Sequence, residues 1–237
     1  DEKIGEILHA MEATRQEAII LFLSDHGDML GERGLWFKMS FHEGSARVPL
    51  TIAAPGLSPG LIETPVSTLD VVPTLAELAD ISLDEVRPWT DGESLVPVAG
   101  GAARAAVPIE YAAEGTITPM VALREGRWKY TSCKADPDQL FDLEADPHEL
   151  TNLADDPAHA ETLARLRTAS EARWDLDAYD SEVRESQARR HVVYDALRNG
   201  AYYPWDFQPL QRASERYMRN HMDLNVLEEE RRYPRGE

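Results

Sequence analysis

Apolar positions in the first hundred residues of the chain follow helical spacing and strand spacing in turn. Four apolar residues recur at intervals of three and four, as on one face of a helix: Ile4, Ile7, Leu8 and Met11. They predict a helix over 3–13. The short apolar runs at 18–23 and 48–53 are bounded by polar or turn residues, as buried strands are. This alternation predicts an α/β fold for residues 1–98.

A connector of small residues at 99–103 separates this segment from one with a different pattern. Residues 120–124 and 128–132 flank a Glu125-Gly126 turn, which is typical of a hairpin, and 139–143 has the composition of a third strand. We therefore predict a small antiparallel sheet within a second domain at 99–175.

Helix signals follow this predicted sheet. Asp146, Pro147 and Glu149 are residues often found where a helix begins, and the apolar spacing further on predicts a helix over about 157–174. The second domain is thus expected to combine an antiparallel sheet with one helix.

The third predicted region, 176–237, contains a helix from about 181 to 199, closed by Gly200. Beyond it, four aromatic residues and two prolines fall within a few positions: Tyr202, Tyr203, Pro204, Trp205, Phe207 and Pro209. Prolines at this spacing exclude a continuous helix, and exposed aromatic rings favour a binding partner. We predict an extended tail that lies on a surface and contacts a partner.

Charge and cysteine content narrow the range of partners. The 237 residues include 43 acidic and 24 basic ones, a formal net charge of −19, so broad affinity for nucleic acid or for an anionic membrane surface is not expected. No apolar run approaches the roughly 20 residues that a membrane span requires. The single cysteine, Cys133, excludes an internal disulfide and favours a reducing compartment, so we predict a cytoplasmic location. Cys133 itself is interpreted as a partly buried strand residue.

Residues with catalytic chemistry come directly after the first predicted strand. Asp25 and His26 offer a carboxylate and an imidazole at the carboxyl end of a strand, where a divalent cation can be held, and Gly27 permits the chain to turn away. The same triplet also occurs in ordinary turns. Lys38 and Arg47, two cationic residues that follow within the next 22 positions, favour a metal and anion site instead.

Residues 24–50 resemble the sulfatase branch of the alkaline phosphatase superfamily. The similarity is carried by Ser24-Asp25-His26-Gly27, by 31–40 and by 43–49, which most resemble choline sulfatases, and 142–153 resembles a conserved stretch of the same family. The resemblance implies the C-terminal part of an alkaline-phosphatase-like sheet with helices, followed by a small antiparallel sheet with a helix and an extended C-terminal tail. It also implies a sulfate ester as substrate, choline-O-sulfate above all.

The resemblance also implies roles for residues of the loop. Asp25 and His26 would bind a divalent metal, Ca²⁺ in the first place or else Mg²⁺ or Mn²⁺, and Lys38 would bind the sulfuryl oxygens. His26 and Lys38 are the expected catalytic residues; for His26, a hydrogen bond to the bound ester is the alternative to metal coordination. Gly27 is expected to support the site, together with an ion pair that holds the loop: Glu43 and Arg47.

Two further residues are expected to bind the substrate. Trp36, with Phe37, would form either an aromatic wall for a quaternary ammonium or an apolar plug beneath the loop. The resemblance also implies that the tail joins subunits into a homo-oligomer. Asp223 in the tail would then place a carboxylate near the substrate cation in a neighbouring subunit. His42 stands where the related enzymes usually carry an aromatic or acidic residue, so it gives no indication of the substrate.

One part of a sulfatase is absent from the sequence. These enzymes carry a cysteine, oxidised to formylglycine, in a Cys-x-Pro-Ser-Arg or Cys-x-Ala-Ser-Arg motif, and Cys133 has neither the serine nor the arginine at the required spacing. The resemblance therefore implies the C-terminal half of a sulfuric ester hydrolase, inactive without an N-terminal half that supplies formylglycine. The alternatives are a phosphonate or phosphate monoester hydrolase on the same scaffold, and a non-catalytic assembly module.

Overall fold

The N-terminal part of the chain consists of a helix and two small antiparallel strand pairs. Helix α1 spans Glu2–Thr14 and strand β1 spans Ile20–Leu23, close to the predicted 3–13 and 18–23. The short strands β2 (Met29–Leu30) and β3 (Trp36–Phe37) pair with each other. A computed structural model describes residues 1–14, 17–113 and 115–198.

The second strand pair carries the loop with the candidate site residues. Helix α2 (Glu43–Ala46) precedes strand β4 (Leu50–Ala53), which pairs antiparallel with β1 so that Leu23 lies opposite Leu50. The chain from 24 to 49 is therefore a long connection between two paired strands. Its two ends are fixed by the same strand pair.

A group of short helices follows β4. Helix α3 (Val71–Leu78) is preceded by a 3₁₀ turn at Thr68–Asp70, and α4 (Leu83–Val86) and α5 (Val96–Ala99) come after it. Asp70 is fully buried; it accepts a hydrogen bond from the Ser67 amide at 2.7 Å and pairs with Arg104 at 2.7 Å. This ion pair joins the start of the helical group to the chain that leaves it.

A four-stranded antiparallel sheet forms the best-packed part of the described chain. Its strands are β5 (Val107–Tyr111), β6 (Met120–Glu125), β7 (Trp128–Cys133) and β8 (Gln139–Asp142), neighbours in that order. The predicted hairpin and third strand are confirmed. The sequence did not predict β5, because Pro108 interrupts its pattern; a proline is accommodated here since β5 is an edge strand.

The helix on this sheet closes the core. Helix α6 (Ala160–Arg173) buries Leu163 and Leu166 against Tyr130 and Leu140 of the sheet. The predicted helix at 157–174 is thus confirmed, with a 3₁₀ turn at its start. The helix start predicted near Asp146 is wrong, since the chain from 143 to 156 forms turns.

The last described helix, α7, spans Leu176–Arg198 and begins five residues before the predicted position. The internal contacts of the chain group it into two units, and the boundary between them falls after Val183, inside this helix. The predicted tail, with Asp223, lies outside the described residues. Among the helices that are described, none has both the length and the apolar character needed to cross a membrane.

Candidate active site

The turn after β1 presents an ionised carboxylate to solvent. Asp25 has 84% of its side chain exposed, and its Oδ1 accepts the backbone N–H of His26 at 2.9 Å. That hydrogen bond holds the pKa of Asp25 below its usual value. The Ser24 hydroxyl donates to the His26 carbonyl at 2.7 Å and closes the turn. The carboxylate is therefore both charged and accessible near neutral pH.

The imidazole of His26 is oriented by its own backbone. Its Nδ1 lies 2.9 Å from the carbonyl oxygen of Gly27. Because a carbonyl only accepts hydrogen bonds, this contact places a proton on Nδ1, and in the neutral ring the lone pair then lies on Nε2. Nε2 lies 3.5 Å from Asp25 Oδ2. An oxygen donor and a nitrogen donor thus stand side by side.

Two donors are too few to form a complete metal site. Within residues 1–14, 17–113 and 115–198, no three His, Cys, Asp or Glu side chains cluster in a way that holds an ion. An anionic oxygen and a neutral imidazole suit a divalent cation, but a hard cation takes six or more ligands. The donor set therefore fits a metal that other groups also bind.

Gly27 is required by a close approach to helix α2. Its N–H donates to the Ser45 carbonyl at 2.8 Å, and a Cβ built on Gly27 would lie 2.2 Å from the Gly44 carbonyl oxygen. The sequence predicted a glycine that permits a sharp turn. The structure gives a different physical reason, which is the absence of room for any side chain between the turn and α2.

Lys38 lies on an exposed loop with an unusual backbone. The residues on either side of it, Phe37 and Met39, have φ values of 66° and 76°, in the left-handed region that non-glycine residues seldom adopt. Such conformations cost free energy and occur often at functional sites. Trp36 and Phe37 are 62% and 69% exposed, so the described residues do not bury either ring as a plug beneath the loop.

A buried ion-pair cluster lies at the start of α2. Lys129 on β7 is 1% exposed, and its Nζ lies 2.9 Å from Glu43 Oε1 and 2.5 Å from Glu149 Oε1. Arg47 and Glu43 are 4.0 Å apart, and Arg47 is largely exposed, so their pair is the weaker one. Sequence reasoning missed Lys129, because nothing in a hairpin sequence indicates a partner more than 80 residues away.

The pKa of Glu149 gives a testable effect on stability. Burial alone would raise this pKa, but the hydrogen bond from His42 and the charge of Lys129 outweigh burial and lower the pKa from 4.5 to about 2. The stabilisation, roughly 3 kcal/mol at neutral pH, should be complete above about pH 4.5 and lost as pH falls toward 2.

We therefore expect Glu149→Gln to lower the free energy of unfolding at pH 7 by roughly 3 kcal/mol. The difference in unfolding free energy between wild type and variant should shrink steadily below pH 4.5. Urea titrations of the full-length protein between pH 7 and 2.5 measure it, with the exposed Glu12→Gln as control. A deficit that stays constant across this range would contradict the ionised state of Glu149.

Comparison with known proteins shows the family of the chain. The family described as "N-sulphoglucosamine sulphohydrolase, C-terminal" matches residues 31–173, more than half of the chain. The chain belongs to the sulfatase family. A second family, "Choline sulfatase enzyme C terminal", matches residues 181–233. The resemblance of the sequence to sulfatases, and to choline sulfatases in particular, is confirmed.

Individual relatives are sulfatases or related hydrolases. A choline-sulfatase of Rhizobium meliloti (strain 1021) is 65% identical over 243 residues, covering 100% of this chain and 48% of that protein. Arylsulfatase K of Danio rerio is 36% identical over 160 residues, which are 60% of this chain and 29% of the relative. The crystal structure of a phosphonate monoester hydrolase of Agrobacterium radiobacter superposes with a TM-score of 0.60 at 27% identity, covering 76% of this chain and 39% of that one.

The sulfatase relatives are longer than this chain. The chain spans about half of the choline-sulfatase and under a third of arylsulfatase K. The α/β fold with small antiparallel sheets is confirmed at that coarse level by the structural match.

Proposed function

We propose that the full-length protein is a sulfuric ester hydrolase that acts on choline-O-sulfate. The observation that carries the proposal is the exposed, ionised Asp25 carboxylate beside the free Nε2 of His26, in a chain that is 65% identical to a choline-sulfatase. The arrangement offers an anionic and a neutral ligand at one point of the surface. Sulfate-ester cleavage needs fixed positive charge around the sulfuryl oxygens, and a cation held at this point supplies it.

Asp25 and His26 Nε2 would hold a divalent cation, Ca²⁺ in the first place, or Mg²⁺ or Mn²⁺. When bound, the cation would offset negative charge on the sulfuryl oxygens. The protein's contribution is orientation: the Ser24 hydroxyl and the Gly27 carbonyl fix the turn and the tautomer of His26. Further ligands come from outside the described residues, in a half of the enzyme that also supplies the formylglycine nucleophile.

Cys133 does not take the place of that nucleophile. It is a partly buried thiol at the end of β7, and its Sγ lies 3.9 Å from Asp136 Oδ2. It also lacks the serine and the arginine of the Cys-x-Pro-Ser-Arg or Cys-x-Ala-Ser-Arg motif. We therefore propose that these 237 residues alone do not hydrolyse sulfate esters.

Lys38 is proposed to bind the sulfuryl oxygens as charge moves to the leaving group. An exposed ammonium on a flexible stem can follow oxygens that shift during bond cleavage. Lys38→Ala in the full-length protein should lower kcat for choline-O-sulfate by about 10²-fold or more, as loss of one transition-state donor does elsewhere. Metal content should not change, because Lys38 is no ligand.

Steady-state kinetics and elemental analysis test the role of Lys38. Lys134→Ala is the matched control, since it removes another exposed lysine, one that pairs with Asp177 rather than facing the site loop. Wild-type kcat in the Lys38 variant, or loss of metal from it, would contradict the assigned role.

A phosphonate monoester hydrolase is the second candidate function. The structural match to such an enzyme favours it, and a cation with a lysine would serve either anion. Comparing kcat/KM for choline-O-sulfate and for an aryl phosphonate monoester separates the two. A higher value for the phosphonate would favour the second candidate.

Choline specificity is proposed to come from an aromatic ring and a carboxylate. Trp36 is exposed and available to face a quaternary ammonium, which aromatic rings attract. Asp223 would add a negative charge from the tail of a neighbouring subunit in a homo-oligomer; it belongs to the part of the chain that the structure does not describe.

A further inference from the structure

A buried lysine joins the antiparallel sheet to the segment that enters helix α2. The Lys129 ammonium donates to the Phe41 carbonyl at 2.6 Å and to Glu43 Oε1 at 2.9 Å. Both acceptors lie at the start of α2, more than 80 residues away in sequence. A buried ammonium is tolerated only when charged and polar neighbours surround it, so this geometry ties the start of α2 to β7.

Glu149 also binds the start of α2. Its Oε2 accepts the backbone N–H of Glu43 at 2.7 Å and lies 3.4 Å from His42 Nδ1, while its Oε1 pairs with Lys129. The Glu43 amide is in the first turn of α2, where an N–H has no acceptor within the helix. Glu149 adopts a φ of 56°, an unfavourable conformation for this residue type, which the buried contacts of its side chain maintain.

Helix α2 in turn contacts the metal-binding turn. The Ser45 carbonyl accepts the N–H of Gly27, and the Gly44 carbonyl lies where a Gly27 side chain would be. Gly27 follows His26 directly and supplies the carbonyl that sets the tautomer of its ring. Because close-packed backbones transmit rather than absorb displacement, a shift of α2 changes the position of the turn.

We propose that Lys129 and Glu149 are positioning residues for Asp25 and His26, acting through α2. The inference rests on the metal-binding role proposed for that pair. Neither residue contacts Asp25 or His26 in the structure. Residues that orient metal ligands without binding the metal typically lower metal affinity by about 10–100-fold when they are replaced.

The test is the double variant Lys129→Met/Glu149→Gln in the full-length protein. It removes one positive and one negative charge together, and the remaining Glu43 carboxylate stays in reach of water at 20% exposure. We expect Mn²⁺ affinity of the demetallated protein to weaken about tenfold, and kcat to fall about tenfold with less than a threefold change in KM. Hydrogen exchange of the Gly27 amide should become faster.

The double variant Arg127→Met/Asp142→Asn is the matched control. It removes an ion pair of the same sheet, between the β6–β7 turn and β8, in which Arg127 Nε lies 2.6 Å from Asp142 Oδ1. This pair has no hydrogen bond to α2. The control should lower the thermal midpoint while Mn²⁺ affinity and kcat stay near wild type.

The proposal is overturned if the Lys129/Glu149 variant loses thermal stability but keeps wild-type Mn²⁺ affinity and Gly27 exchange, or if the control weakens Mn²⁺ binding equally. Mn²⁺ binding that does not depend on Asp25 overturns it as well. Mn²⁺ affinity and amide exchange need no turnover. If the wild-type protein lacked sulfatase activity but Mn²⁺ affinity and Gly27 amide exchange still changed as expected in the variants, the proposed function would be wrong. The positioning role of Lys129 and Glu149 would stand.

Discussion

Asp25→Ala in the full-length protein should remove the bound divalent metal and lower kcat/KM for choline-O-sulfate by about 10³-fold or more. The carboxylate is 84% exposed and its pKa is held below the usual value, so it is the anionic ligand that the turn offers. A metal contributes several kcal/mol of charge stabilisation in the transition state, and 4 kcal/mol is about 10³-fold in rate. Elemental analysis and steady-state kinetics measure both effects.

Asp28→Ala is the control for this experiment. Asp28 is also an aspartate of the turn, 52% exposed and 3.9 Å from His26 Nδ1, the ring nitrogen that already contacts the Gly27 carbonyl. Its replacement should leave metal content and kcat/KM within about twofold of wild type. Full metal occupancy in the Asp25 variant would show that the ligand is wrongly assigned.

Gly27→Ala should be the most destabilising alanine substitution in the site. The added Cβ would lie 2.2 Å from the Gly44 carbonyl oxygen, a backbone atom that no rotamer change can move away. Overpacking of this kind costs about 3 kcal/mol where the backbone must shift. Since the shift displaces the carbonyl that orients His26, metal affinity and activity should fall as well.

Gly60→Ala supplies the comparison for Gly27. A Cβ at Gly60 meets nothing within 4 Å, and its φ is not in the left-handed region, so its effect on the free energy of unfolding should be about 0.5 kcal/mol or less. Urea unfolding and Mn²⁺ titration of both variants measure the contrast. Equal midpoints for the two would mean that α2 moves away from the turn at little cost.

Sequence periodicity predicted most of the regular structure, because its cause is local. The helical spacing of α1 and α6 and the Glu125-Gly126 turn of the β6–β7 hairpin are each contained in a short stretch of sequence. Strand β5 was missed, since Pro108 lowers strand propensity in the sequence although an edge strand accepts it. The predicted helix bounds differed from the observed ones by a few residues, because helix ends fray and depend on contacts outside the helix.

For the candidate site, the sequence predicted only those residues that are close neighbours in the chain. Asp25, His26 and Gly27 follow a strand, so their proximity was evident. In the ion-pair cluster, Glu43 meets Lys129, 86 residues away, and Glu149, 106 residues away, and only the fold brings them together. Glu149 was interpreted as a helix-start residue, because an acidic residue after proline is typical of one; burial against a lysine gives it a different role.

Anomalous diffraction from crystals of the full-length protein loaded with Mn²⁺ locates the metal directly. We expect one strong anomalous peak within about 2.0–2.6 Å of an Asp25 carboxylate oxygen and of His26 Nε2, distances usual for such ligands. An anomalous peak away from both side chains, in a protein that hydrolyses sulfate esters, would show that Asp25 and His26 do not bind the metal.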